Sequence, residues 1–314
     1  AKTRAQMQAE AAALAERLPA SWRGLAAVAL AACAATAAAA DITLEKIKHT
    51  GVIPIGYRAS AAPFSFDAAP GKPAGYAIDI CQRLVAQLRE QLHLPSLQVR
   101  YVLANAAERV AKLDSGEMQM ECSDSTNTKE RREQAAFAPA YYYAGTRLLV
   151  RADDSADSLA QMDGRSVAVI AGSTGQAIAK ARKDAGVNLN IIEVPNAAAG
   201  VRAVVEKRAD GTLSDDIVLL DQAKMLKDTV KVVGPKMSVE PLAIMLPRHS
   251  PDFRNLIVRA MLDLLRDGVV QQLYQTWFEN PMPVRGYSLG TPPDALLKDA
   301  FRRPSEFVSE WTVM

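Results

Sequence analysis

Histidine is scarce in this chain of 314 residues. The three present, His49, His93 and His249, stand far apart, and no HExxH or CxxC spacing occurs. A histidine-built metal site is therefore not expected. Cysteine is equally sparse, at three residues, which excludes a small disulfide-dense scaffold. Neither sign of charge dominates. Thirty-seven Lys and Arg against 35 Asp and Glu leave a formal charge of +2. Such balance excludes electrostatic capture of nucleic acid or an anionic membrane as the main task. Phosphate loops, nucleophile elbows and dinucleotide fingerprints are missing as well. Gly172-Ser-Thr-Gly175 lacks the lysine and spacing of a phosphate loop. Neither a cofactor nor a metal is expected.

What is present is an ordinary globular composition, 49% apolar and 23% charged. That excludes bulk disorder, because enough apolar surface exists to offset chain entropy. Residues 1–40 differ from the rest and hold 19 alanines. Arg23 precedes a short apolar run, Leu25–Ala32, and a small-residue stretch ends at Ala40. A cation, an apolar core too short to span a bilayer and an A-x-A end describe a secretory signal segment over 1–40. Cleavage after Ala40 is the preferred reading. Leu30-Ala-Ala-Cys33 also matches a bacterial lipoprotein box, with Cys33 lipidated. The remaining chain carries 33 cationic and 33 anionic residues. It has no apolar run of about 18 residues and reads as exported, periplasmic and soluble.

Beyond residue 40, short apolar runs alternate with helical periodicity. Val52–Gly56, Gln98–Leu103 and Met118–Cys122 read as strands, and Ile78–Leu92 and Ala106–Asp114 as helices between them. The alternation restarts near residue 146. Thr146–Val150, Ser166–Ile170, Asn190–Val194, Ile217–Leu220 and Val230–Val233 read as strands, and Gln176–Arg182 and Ala198–Lys207 as helices. Leu242–Leu246 reads as a returning strand, and Phe253–Asp267 and Val269–Phe278 as closing helices. An α/β fold follows, with parallel-type sheets flanked by helices. The predicted organisation is a first lobe over 41–146, a second over 147–238, a return to the first over 239–285, and a tail over 286–314. Two crossings between lobes make a hinge and a cleft, and ligands favour such crevices.

Several stretches in this order resemble a known family: Gly51-Val-Ile-Pro-Ile-Gly-Tyr-Arg58, Pro63-Phe-Ser-Phe66, Gly75-Tyr-Ala-Ile-Asp79, Glu121 through Arg131, Gly145-Thr-Arg-Leu-Leu149, Ala171-Gly-Ser-Thr174, Asp221 and Trp277-Phe278. Over about 41–285 the chain resembles the periplasmic polar amino acid solute-binding proteins of ABC importers, and within them the glutamate/aspartate-binding branch. The resemblance implies a two-lobe type II binding-protein fold. It also implies an amino acid ligand held in the cleft, and delivery to an inner-membrane permease by a monomer that is not an enzyme.

It implies a site too. Arg131, five residues after Thr126, suits a carboxylate clamp, because guanidinium donates two parallel hydrogen bonds. Ser173 and Thr174 open a helix whose free N–H groups favour the same carboxylate. Asp221 receives the ammonium. Arg58 and Arg109 match positions where the dicarboxylate-binding branch carries arginines. Ser125 lies between Asp124 and Thr126, and Phe64, with Phe66, suits a wall for the aliphatic part. Asp124 departs from the family, standing where relatives carry a small hydroxyl residue. It pairs with Arg58 or Arg109, or adds a second ammonium site. Ala106 and Ala197 stand where relatives use Ser and His. Each residue also has a structural reading: a solvated charge run for Arg131, ion pairing for Arg58 and Arg109, helix capping for Asp124, Ser173 and Thr174, and core packing for Phe64. A bond between Cys81 and Cys122 and two buried thiols are both open. The alternative functions are a neutral or basic amino acid ligand, and a cyclohexadienyl dehydratase-like enzyme with Asp124 as its acid.

Overall fold

The computed structural model describes residues 41–306, 308 and 311–312; the predicted signal segment and the lipidation site at Cys33 lie outside them. Helix α1 (Ile42–Thr50) starts at Asp41, whose carboxylate accepts the N–H groups of Thr43 and Leu44 at 3.1 and 3.2 Å. Gly51 ends it at φ +62°, a left-handed C-terminal turn that suits glycine. Strand β1 (Val52–Tyr57) is almost wholly buried, as an apolar run in the middle of a parallel sheet should be. A small antiparallel sheet of β2 (Ser60–Ala61), β3 (Ser65–Ala69) and β4 (Lys72–Ala74) follows. Helix α2 (Tyr76–Gln91) buries Tyr76, Ile80, Leu84 and Leu88 along one stripe. Strand β5 (Gln98–Leu103), helix α3 (Arg109–Asp114), β6 (Met120–Glu121), α4 (Lys129–Arg132), β7 (Ala136–Phe137) and β8 (Tyr142–Ala144) complete the first pass.

The second pass contains β9 (Thr146–Arg151), β10 (Ser166–Ile170), α5 (Thr174–Asp184), β11 (Asn190–Val194), α6 (Ala197–Val205), β12 (Gly211–Asp215), α7 (Asp216–Met225) and β13 (Val230–Val233). The chain returns through β14 (Ser238–Leu242) and β15 (Met245–Leu246). Helices α8 (Pro251–Arg266) and α9 (Val269–Tyr274) follow, with a π turn at Gln275–Glu279. The tail supplies α10 (Ala295–Arg302) and β16 (Trp311–Thr312).

Two five-stranded sheets result, ordered β5-β1-β6-β15-β7 and β11-β10-β12-β9-β13. In the first, β1 runs parallel to β5 and β6. In the second, β10 runs parallel to β11 and β12, while β9 is antiparallel to β12 and β13. The chain crosses between the sheets twice, next to β8 and β14. These pair antiparallel, with Ala144 opposite Glu240 and Tyr142 opposite Leu242. Both crossings therefore lie side by side, and the carboxyl ends of β1, β10 and β12 face a common gap.

Two expectations are corrected. Ile217–Leu220 is not a strand but lies inside α7; the strand is Gly211–Asp215, just before it. A four-residue apolar run cannot distinguish a buried strand from a buried helix turn. Leu242–Leu246 is divided between β14 and β15. Cys81 of α2 and Cys122, next to β6, form a disulfide with Cα atoms 6.3 Å apart, which resolves the question left open above. Among the described residues no helix is long and apolar enough to cross a membrane.

Candidate ligand-binding site

Arg58, Arg109 and Arg131 reach one small cavity from the first sheet. Ser173, Thr174, Ser214 and Asp215 reach it from the second. Each is placed by the end of an element. Arg58 follows β1, Asp124 and Thr126 follow β6, and Arg131 lies in α4. Ser173 caps α5, accepting the Gln176 N–H at 3.1 Å, and Asp215 ends β12. Gly172 takes φ +74°, and a Cβ there would lie 3.3 Å from the Ala106 carbonyl oxygen, so glycine permits the close approach of the two halves.

The arginines are largely buried and differently partnered. Arg58 Nη1 meets Asp124 Oδ1 at 2.9 Å, and its Nε lies 3.6 Å from Glu121. Burial opposes its charge, but Asp124 and Glu121 outweigh that, and its pKa rises. Arg109 donates to the Ser125 hydroxyl at 2.7 Å and to the Gly172 carbonyl at 3.4 Å. Burial, then the like charges of Arg131 and Arg58, push its pKa well below the usual guanidinium value. Arg131 donates to the Thr126 carbonyl at 2.9 Å and, across the gap, to the Gly172 carbonyl at 3.1 Å. Burial lowers its pKa too, with Glu240 opposing. Arg109 and Arg131, whose charges are disfavoured, gain from an anion placed against them.

Carboxylates complete the cluster. Asp215 is buried, and its Oδ2 has no hydrogen-bond partner. Burial, reinforced by Glu240, Asp124 and Asp216, raises its pKa well above the ordinary value. Glu240 of β14 accepts the hydroxyls of Thr126, Thr146 and Thr174 at 2.8, 2.7 and 2.7 Å, and that of Ser238. It ties the crossing strands to the first turn of α5. About 20 Å³ remains among these groups, room for one water-sized molecule. Binding anything larger requires the halves to part.

The structure thus brings Arg58, Arg109, Asp124, Thr126, Arg131, Ser173 and Thr174 around one cavity, with Ser125 behind Arg109. Two expected residues lie elsewhere. Asp221 is inside α7, where its carboxylate accepts the Tyr287 hydroxyl at 2.7 Å and faces Arg285 at 3.5 Å. The misread strand displaced the expected acid by six positions; the carboxylate at the cavity is Asp215. Phe64 is fully buried, its ring 5.0 to 6.5 Å from those of Tyr76, Tyr141, Tyr142 and Phe278. It packs the core instead of lining the cavity. Phe66 likewise meets Trp277 and Arg285. Asp215, Ser214, Glu121 and Glu240 were missed. The Asp215-Asp216 pair at the end of a buried run was a usable signal for the first of them.

Opposed sheets joined by paired crossing strands, with guanidinium groups and a buried carboxylate meeting between them, are the architecture of a two-lobe binding protein. The chain belongs to the bacterial extracellular solute-binding proteins, family 3, whose model matches residues 53–280. It is 32% identical over 272 residues to the L-glutamate/L-aspartate-binding protein of Pseudomonas aeruginosa, covering 85% of this chain and 90% of that one. It is 30% identical over 273 residues to the glutamate/aspartate import solute-binding protein of Escherichia coli, covering 86% and 90%. Its fold matches an ancestral amino acid-binding protein that is a precursor of cyclohexadienyl dehydratase. There the TM-score is 0.66 with 27% identity, over 75% of this chain and 99% of that one. The chain is a transport receptor of the extracytoplasmic space, not an enzyme. Asp124, the acid that a dehydratase reading required, is the ion-pair partner of Arg58 and accepts the Ser123 hydroxyl.

Proposed function

We propose that this protein is the periplasmic binding component of an amino acid ABC importer. In this reading it takes an acidic amino acid, glutamate or aspartate, between its lobes and presents it to an inner-membrane permease. The observation that carries the reading is the meeting of three largely buried guanidinium groups with the first turn of α5 and with Asp215, whose Oδ2 has no hydrogen-bond partner. Arg131 and the α5 N-terminus suit the α-carboxylate, since both offer donors to an anion. Asp215 suits the ammonium. Arg109, disfavoured by its cationic neighbours, suits the second carboxylate. The names of the two bacterial relatives support the same ligand class.

Because these groups come from both sheets, a ligand touching all of them favours the closed arrangement through differential affinity. The lobes then divide near residues 146 and 238, and the protein acts as a monomer. Isothermal titration calorimetry against the twenty amino acids tests the reading. Saturable binding of glutamate or aspartate, tighter than of any neutral or basic amino acid, is expected. Binding of a basic or neutral amino acid alone would overturn the ligand class.

A further inference from the structure

Beyond the small cavity lies a larger one of about 380 Å³. Arg58, Ala106, Asp124 and Ile170 border both, so the two are adjacent. A space of this size is in the range of about 300–1,000 Å³ usual for small-molecule sites. Its walls come from both sheets; Ala61, Ala104, Ala106, Ile170, Pro195 and Ala197 form an apolar part, and Ser60, Asn105, Glu108, Lys112 and Asn196 a polar one. A side chain ending in a free carboxylate would leave this space to water.

The groups at the junction suit something other than a free carboxylate. Arg58 and Asp124 are joined at 2.9 Å, so a donor and an acceptor stand side by side. Arg58 Nη2 is buried without a hydrogen-bond partner. A carboxylate placed here would meet the Arg58 donor but also the like charge of Asp124. An amide matches both groups, because its carbonyl accepts while its N–H donates. A substituent on the amide nitrogen would then lie against the apolar part of the larger cavity.

We propose that the side-chain end of the site takes γ-amides of glutamate carrying an apolar substituent on the amide nitrogen. The proposal rests on the reading of the headgroup site given above and extends it to a wider ligand class. Calorimetry on the whole protein with L-glutamate, L-glutamine, L-glutamate γ-ethylamide and L-glutamate γ-anilide tests it. The two substituted amides should bind within about tenfold of glutamate. Ala59→Leu, placed in the wall of the larger cavity and checked by its thermal melt, should weaken both substituted amides at least tenfold and glutamate by less than threefold. If glutamate binds while both substituted amides are at least 100-fold weaker, the proposal fails and the headgroup reading stands. If Ala59→Leu weakens every ligand equally, the substituent does not occupy this cavity and the proposal fails. If no amino acid or derivative binds, both readings fall.

Discussion

Arg58 and Asp124 form an ion pair, Nη1 to Oδ1 at 2.9 Å, at the boundary between the small and the large cavity. The side chains are 12% and 6% exposed, so water screens the pair little. One of the three guanidinium groups that meet the ligand space is therefore already matched by a carboxylate of its own chain. A small hydroxyl residue at this position would leave that arginine free for the ligand.

Replacing Asp124 with Ser should separate affinity from stability. Removing the carboxylate takes a like charge away from an acidic side chain, and glutamate affinity should rise by about tenfold, or ~1.4 kcal/mol. Removing one partner of a buried ion pair should at the same time destabilise the fold by about 3 kcal/mol. Calorimetric titration and denaturant unfolding of Asp124→Ser measure the two effects. A fall in glutamate affinity would show that Asp124 contributes to the ligand and does not merely occupy Arg58.

Arg131 reaches across the gap to the Gly172 carbonyl at 3.1 Å, beside the first turn of α5. A carboxylate bound there would be paired and desolvated, where loss of the cation costs about 2–5 kcal/mol. Arg131→Ala should weaken every amino acid ligand by at least roughly 100-fold. Arg131→Lys should recover only part of that, because an ammonium lacks the planar pair of donors. Retention of near-native affinity by Arg131→Ala would remove it from the site.

The Cys81–Cys122 disulfide closes a loop of 41 residues that contains β5, α3 and β6. Chain-entropy reasoning assigns such a loop about 4 kcal/mol. Reduction, or Cys81→Ala with Cys122→Ala, should lower the unfolding free energy by that order. Ligand affinity should hold in conditions where the fold persists, since neither sulfur lines the small cavity. A melting temperature unchanged by reductant would contradict this.

The first sheet was legible because β1 is an apolar run, β5 alternates polar Gln98 and Arg100 with apolar Val99 and Tyr101, and α2 keeps its three- and four-residue spacing over 16 residues. The arginines were legible through the family resemblance, since Arg131 otherwise reads as part of a charge run and Arg109 as a helix residue. Asp215 was not, because the run Ile217–Leu220 following it fits either period and was assigned the wrong one. Glu240 carries no local signal at all. Its hydroxyl partners Thr126, Thr146 and Thr174 lie 114, 94 and 66 positions away, so only the folded crossing strands assemble them. Phe64 was ambiguous for the same reason. Its role depends on Phe278 and on Tyr141 and Tyr142, which only tertiary packing brings to it.

Asp215 should make ligand binding depend on pH in a definite direction. Burial and the neighbouring carboxylates of Glu240, Asp124 and Asp216 raise its pKa well above the ordinary value of about 3.9. Without ligand, the carboxyl keeps its proton at pH values where a free aspartate has lost it. An ammonium requires the ionised form, so binding expels that proton. Affinity should therefore rise with pH up to the raised value of the ligand-free protein and level off above it. Stability of the ligand-free protein runs the opposite way. A folded pKa above the unfolded one contributes stability that is complete below the unfolded value and is lost as pH rises through the folded value. Asp215→Asn should remove both dependences and weaken amino acid binding by roughly 100-fold. Titrations at about pH 5 and about pH 8, each in two buffers of different ionisation enthalpy, count the protons released. Proton uptake on binding, or affinity that falls as pH rises, would exclude Asp215 as the ammonium partner.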